Sequence, residues 1–184
     1  MKNIIKILLI VFVMVTLVFS LIIIINSLWY RHNKDTYTDI NQYESYRENS
    51  MIFTDDMKIV WPQKVMKDTV LDFHIMTYYS DATAYTGYMV VEYGEDEYEK
   101  EIGRLQAVPM DEYVGLYGAT GFGEYELIAM KASKDTGRDS GFTYALTDGK
   151  QRIMYVELEY PHLAREDYKK IIPKEYLPLG LDME

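Results

Sequence analysis

Nineteen consecutive residues without a charge, Ile7 to Ile25, constrain this chain more than anything else in it. Only Met14, Thr16 and Ser20 interrupt a run of Ile, Leu, Val and Phe. At about 1.5 Å of rise per residue such a helix is roughly 28 Å long, close to the hydrocarbon thickness of a bilayer. At about −0.3 to −0.6 kcal/mol for each strongly apolar residue, insertion is favourable by roughly −5 to −10 kcal/mol, far more than Thr16 and Ser20 oppose. A helix apolar on every face has no solvated side to present in a soluble protein. A membrane-spanning anchor is therefore expected over residues 7–30, with Trp29 and Tyr30 at the interfacial belt and residues 1–6 as a short cytoplasmic terminus.

A cleaved secretory signal would have a shorter apolar core followed by small residues. No Ala or Gly occurs before Ala82, and cleavage after Ser20 would leave Leu21-Ile22-Ile23-Ile24-Ile25 on the new terminus. With no cysteine in the chain, lipid attachment at a lipobox has no acceptor. The segment reads as an uncleaved signal anchor. Lys2 and Lys6 precede it and Arg31 and Lys34 come after it, but Asp35 and Asp39 lie close behind the second pair. The positive-inside bias then places the C-terminal bulk outside the cytoplasm of a single-pass cell-membrane protein.

The remainder of the chain is large enough for one domain and no more. Residues 31–50 read as a connector and first helix, and residues 51–184 as an extracytoplasmic α+β domain. Beyond the anchor, 17 basic residues face 29 acidic ones, a net charge of −12. Such a surface repels nucleic acid, whose phosphates demand a basic partner. It suits a cationic peptide, a polyamine or a metal ion; a glycan or a membrane protein is also a possible partner. Absence of cysteine fits a bacterial surface better than a disulfide-stapled animal secreted domain.

Periodicity supplies the elements. Thr38 or Asp39 can cap a helix to about Asn49, with Ile40, Tyr43 and Arg47 on one face. Met51–Lys67 is not legible beyond a buried run at Ile59-Val60-Trp61 and the helix block at Pro62. Leu71, Phe73 and Ile75 alternate with polar partners over 70–79, and a second strand over about 85–93 completes a hairpin. Glu95, Asp96 and Glu97 open a helix whose apolar stripe is Tyr98, Ile102 and Leu105, and Pro109 ends it. Strands are expected at 125–131, 142–147 and 152–160, then a helix over about 163–171. Asp148-Gly149 predicts a two-residue type I′ turn that would set Phe142 opposite Tyr155 and Tyr144 opposite Ile153. The expected fold is an N-terminal transmembrane helix plus an α+β domain with a mainly antiparallel sheet of about five strands and helices packed on one face.

Chemical motifs are sparse. Asp135-Thr136-Gly137 and Asp139-Ser140-Gly141 resemble in composition the turn around an aspartic-protease carboxylate. However, Lys131-Ala132-Ser133-Lys134 precedes them where an apolar strand belongs, so they read as a polar turn. The glycines from Gly115 to Gly123 lack the Gly-Lys-Ser/Thr ending of a phosphate loop and lead into a strand, not a helix. His32, His74 and His162 have no metal-ligand spacing, and no Cys completes a site, so no metal or cofactor is expected. Glu157 and Glu159 share a strand face, read as a solvated edge. Tyr78, Tyr79, Tyr85, Tyr88 and Tyr93 crowd the first hairpin, where tyrosine serves both sheet packing and recognition. These features favour a non-enzymatic, membrane-tethered interaction or accessory module; the alternative is an anchored hydrolase of envelope material using paired carboxylates. The anchor has a direct consequence: alkaline carbonate should leave the full-length protein in the membrane pellet, and protease added to spheroplasts should digest its C-terminal portion.

Overall fold

The computed structural model describes residues 2–32, 34–79, 83–133, 141–159 and 168–183. The chain divides into two compact units, Met1–Asn33 and Lys34–Glu184. In the first, helix α1 runs over Lys2–His32. Every described side chain from Leu9 to Asn26 is exposed, and this stretch is long and apolar enough to cross a membrane. Its two hydroxyls are satisfied within the helix. Thr16 Oγ1 donates to Phe12 O (3.1 Å) and Val13 O (2.9 Å), and Ser20 Oγ donates to Thr16 O at 2.9 Å. Back-bonding of this kind removes the penalty that an unpaired hydroxyl would carry in hydrocarbon.

The second unit is built on a six-stranded antiparallel sheet in the order β1-β2-β3-β6-β5-β4. The strands are β1 (Lys34–Tyr37), β2 (Val70–Tyr79), β3 (Thr83–Glu92), β4 (Glu126–Ser133), β5 (Gly141–Thr147) and β6 (Arg152–Glu159). The count is six where five were expected, and β1 is the addition. Its residues Lys34-Asp35-Thr36-Tyr37 read as a polar connector, yet they pair with Tyr78-Thr77-Met76-Ile75 of β2. A short, charged, exposed strand is what blunts a sheet edge, so it carries no apolar signature.

Helices cover one face. Helix α2 (Tyr43–Glu48) comes after a 3-10 turn capped by Asp39, and α3 (Asp55–Val60) starts at Thr54, whose hydroxyl accepts Met57 N–H at 3.0 Å. Helix α4 (Glu95–Gln106) begins with three acids at the positive end of its dipole. Tyr43, Phe53, Met57, Trp61 and Leu105 pack from these segments onto Phe73, Met89, Ile153 and Tyr155 of the sheet. The opposite face is covered without long helices. There, Met130, Tyr144, Met154 and Val156 lie beneath Ala119 of the glycine-rich segment and beneath Tyr168, Ile172 and Met183, which belong to helix α5 (Tyr168–Ile171) or come after it. With both faces covered, β5 is buried at every position.

The glycine-rich segment is a clasp. Gly118 and Gly180 have φ of +77° and +75°, and a β-carbon on either would fall within 2.6 Å of the other's carbonyl oxygen. Thr120 N–H donates to Leu179 O (2.8 Å), and Leu179 N–H donates to Gly121 O (2.8 Å). Glycine permits both the left-handed backbone and this close approach.

The β5–β6 connection differs from the two-residue turn. It spans Asp148 to Gln151, with Asp148 Oδ1 accepting from Lys150 N–H (2.8 Å) and Arg152 N–H (3.2 Å). Gly149 and Gln151 have φ of +69° and +84°. Thr147 pairs with Ile153, so five residues separate the paired positions where the tight turn has two, and Phe142 faces Leu158, Tyr144 faces Val156 and Ala145 faces Tyr155. The offset from the expected pairing is an odd number of residues, which exchanges the faces of one strand relative to the other.

Phe53 meets Trp61 edge-on with ring centroids 5.5 Å apart, and both are fully buried. Phe53→Ala should lower stability by about 3–5 kcal/mol. The shift would be read from the denaturation midpoint of Trp61 emission in a Trp29→Phe background.

Candidate functional site

The sheet register brings three polar side chains into one row. Lys131 of β4 lies opposite Thr143 of β5, and Thr143 lies opposite Glu157 of β6. One step further along, Gly141 lies opposite Glu159. Glycine is required at 141, because a β-carbon there would stand 1.9 Å from Leu158 O. The start of α3, at Thr54, Asp55 and Asp56, projects over the same patch of sheet. A cavity of about 330 Å³ remains between helix and strands, open to solvent on one side.

Glu157 is 1% exposed. Thr143 Oγ1 donates to its Oε2 at 2.5 Å, and Thr54 Oγ1 approaches Oε1 at 3.5 Å. Burial pushes the Glu157 carboxyl well above the usual carboxylate range, and the negative charges of Glu159 and Asp56 push it further. The two threonine hydroxyls favour the charged form but do not overcome desolvation. Asp56 is also raised, chiefly by partial burial, with Lys131 acting against that. The Lys131 ammonium is committed elsewhere: it sits 3.1 Å from Asp111 Oδ2, which also accepts Ala132 N–H at 3.1 Å.

Among the described residues the cavity is thus lined by four carboxyl groups, of which Asp55 pairs with Lys58 at 3.3 Å, and by one lysine that is paired with Asp111. Two kinds of chemistry suit it. An incoming ammonium or guanidinium would neutralise the acid surplus while donating to several oxygens. Alternatively, a carboxyl at Glu157 that burial makes hold its proton more tightly than an ordinary one has the character of a proton donor. Among the described residues no group of three or more His, Cys, Asp or Glu is arranged to hold a metal ion.

Glu157 and Glu159 therefore do not form a solvated edge. β6 is central, flanked by β3 and β5, and α3 roofs the face that carries Glu157. Periodicity does not announce the roof, because α3 spans only six residues. Its start is nonetheless written in Thr54-Asp55-Asp56, a hydroxyl cap followed by two acids.

The other sequence candidates go elsewhere. His74 lies half-buried on β2 with its ring parallel to Tyr88, centroids 6.4 Å apart, and desolvation lowers its pKa. It does not line the acid cavity. His32 ends α1. His162, Asp135-Thr136-Gly137 and Asp139-Ser140 lie outside the described residues. Tyr85 donates to Ser50 O at 3.0 Å, Tyr88 donates to Asp72 Oδ2 at 2.6 Å, and Tyr93 shares a 2.8 Å hydrogen bond with Tyr155. These three tyrosines of the first hairpin and its exit tie the sheet to its surroundings.

A carboxyl with a raised folded-state pKa binds its proton more tightly in the native state than in the unfolded chain. Stability from this group is present at low pH and falls as pH rises from the ordinary carboxylate range towards the raised value. Glu157→Gln keeps the shape and a hydrogen-bonding partner for Thr143 but cannot ionise. Between about pH 5 and 8 the wild-type denaturation midpoint should fall relative to that of the Gln variant. Parallel profiles would show that Glu157 is not held neutral.

No family model, no curated protein and no solved structure matches this chain, so its function is argued from these residues alone.

Proposed function

We propose that this protein is a non-enzymatic interaction module tethered to a bacterial cell membrane by α1, with residues 34–184 outside the cytoplasm, and that its acid cavity receives a cationic group of a partner. One observation carries the reading: a solvent-open cavity whose described lining holds Asp55, Asp56, Glu157 and Glu159 and one lysine, Lys131, which is paired with Asp111; Asp55 itself pairs with Lys58 at 3.3 Å. The net charge of −12 beyond the anchor adds long-range attraction for a cation. The four carboxyls are spread over a helix start and one strand of the sheet. That spread suits an ammonium or guanidinium, which needs no fixed coordination geometry.

The test uses the full chain in detergent and two small probes, end-blocked lysine and end-blocked norleucine, which differ by the ammonium group. The lysine probe should bind, with affinity falling as salt rises, and the norleucine probe should not. Asp56→Asn and Glu159→Gln should each weaken binding by about tenfold, the value of one charge-assisted hydrogen bond. Equal response to both probes would defeat the proposal.

A second reading, the anchored hydrolase, is favoured by Glu157, its pKa raised by burial, lying in one cleft with Glu159. It requires turnover of envelope glycan that Glu157→Gln abolishes while ligand binding persists. Binding without turnover in the wild type removes it.

A further inference from the structure

A hollow of about 320 Å³ lies among the last residues of the chain. It is lined by Tyr168 and Lys169 of α5, by Lys174, and by Leu177, Leu179 and Leu181 of the C-terminal segment. It shares no lining residue with the acid cavity.

Its chemistry is the reverse of that cavity. Beyond the anchor 29 acids face 17 bases, yet among the described residues both charged side chains that line this hollow are lysines. Lys169 Nζ stands 5.5 Å from the centroid of the Tyr168 ring, which sets an ammonium beside an aromatic part of the lining. Lys174 is exposed. The leucines and Pro178 make most of the remaining lining apolar.

The apolar part is already ordered. Leu179 N–H donates to Gly121 O and Leu179 O accepts Thr120 N–H, both at 2.8 Å, and Thr120 Oγ1 also donates to Leu179 O at 3.1 Å. Leu181 N–H returns to Pro178 O (3.3 Å), and Asp182 N–H reaches Tyr117 O (2.8 Å). Together with the close approach of Gly118 and Gly180, these bonds fix the backbone, while the Leu179 side chain stays 53% exposed. A leucine exposed singly is ordinary. Three leucines lining one hollow, with Leu179 on a backbone that is bonded in advance, offer apolar surface that a ligand can cover at little cost in ordering.

Size and charge select the occupant. A hollow of this volume is at the lower end of those that hold small ligands, with room for one short chain and not for the paired chains of a phospholipid. The leucines call for an apolar tail. An ammonium group donates hydrogen bonds and accepts none, so the two lysines call for an anionic end, and a carboxylate offers one oxygen to each.

We infer that the C-terminal hollow binds a short-chain apolar carboxylate, its tail on Leu177, Leu179 and Leu181 and its carboxylate paired with Lys169 and Lys174. The glycine-rich segment then has a task beyond closing the fold, because it holds the leucine wall in place for the ligand.

The experiment uses the full chain in nanodiscs of a zwitterionic lipid, titrated with hexanoate, hexanamide and acetate. Binding is read as broadening of the ligand's proton resonances beyond that caused by empty discs. Hexanoate should bind. Hexanamide, with the same tail and no charge, and acetate, with the charge and no tail, should not. Lys174→Gln and Leu179→Ser alter exposed side chains, so both variants should fold; each should weaken hexanoate binding by about tenfold. Asp56→Asn, in the acid cavity, should leave it unchanged, which separates this hollow from the site proposed above. Absence of hexanoate binding, equal binding of hexanoate and hexanamide, or hexanoate binding unaltered in Lys174→Gln and Leu179→Ser would each overturn the inference.

Discussion

Two side chains on one strand hold the helical layer of this domain in place. On β6, Tyr155 and Glu157 point to the same face, two residues apart, and helix α3 is fastened through both. At the C-terminal end of α3, Arg104 donates to Ile59 O (2.8 Å) and Val60 O (2.6 Å), carbonyls that the helix cannot satisfy itself. Arg104 is paired in turn with Glu101 at 2.6 Å, and Glu101 accepts the Tyr155 hydroxyl at 2.6 Å. At the N-terminal end, the capping hydroxyl of Thr54 reaches Glu157. A six-residue helix has little stability of its own, so its position derives from these contacts and from the burial of Met57, Val60 and Trp61. The acid cavity exists because this helix is held above the sheet at that distance.

The same arrangement explains why a carboxyl is tolerated in a central strand. An isolated charge at Glu157 would be costly to desolvate, and burial raises the carboxyl's affinity for a proton. A neutral acid with a threonine partner is far less costly to bury than a carboxylate. An apolar residue of similar size would pack as well and fold more stably. It lies at the bottom of an open cavity and not within a dry core.

Much of the architecture is legible in the sequence because periodicity reports burial. The alternation in β2 and the all-apolar run of α1 each follow from a physical preference that acts over ten or more residues, and the acid-led start of α4 from the helix dipole. The features that escape such a reading are set by contacts distant in sequence. β1 is polar because it is an edge, and an edge strand without apolar residues looks like a linker. α3 is too short to show a period. The β5–β6 register turns on whether Asp148 nucleates a longer loop, a choice made by its side chain accepting Lys150 and Arg152 N–H groups and invisible to the Asp-Gly signal. The tight turn would have kept Thr143 and Glu157 apart; the longer loop makes them direct partners and so creates the floor of the cavity.

The acid cavity borders β4 where Asp111 binds the edge of that strand. Lys131 contributes to the acid cavity from one face of the strand, while its ammonium is drawn to the carboxylate that also covers the edge at Ala132. Asp111 therefore performs two tasks with one side chain. Among the described lining residues it draws the one lysine of the cavity to itself, and it covers the edge of β4 at Ala132. The charge balance of the cavity and the covering of the β4 edge at Ala132 are consequently tied to the same residue.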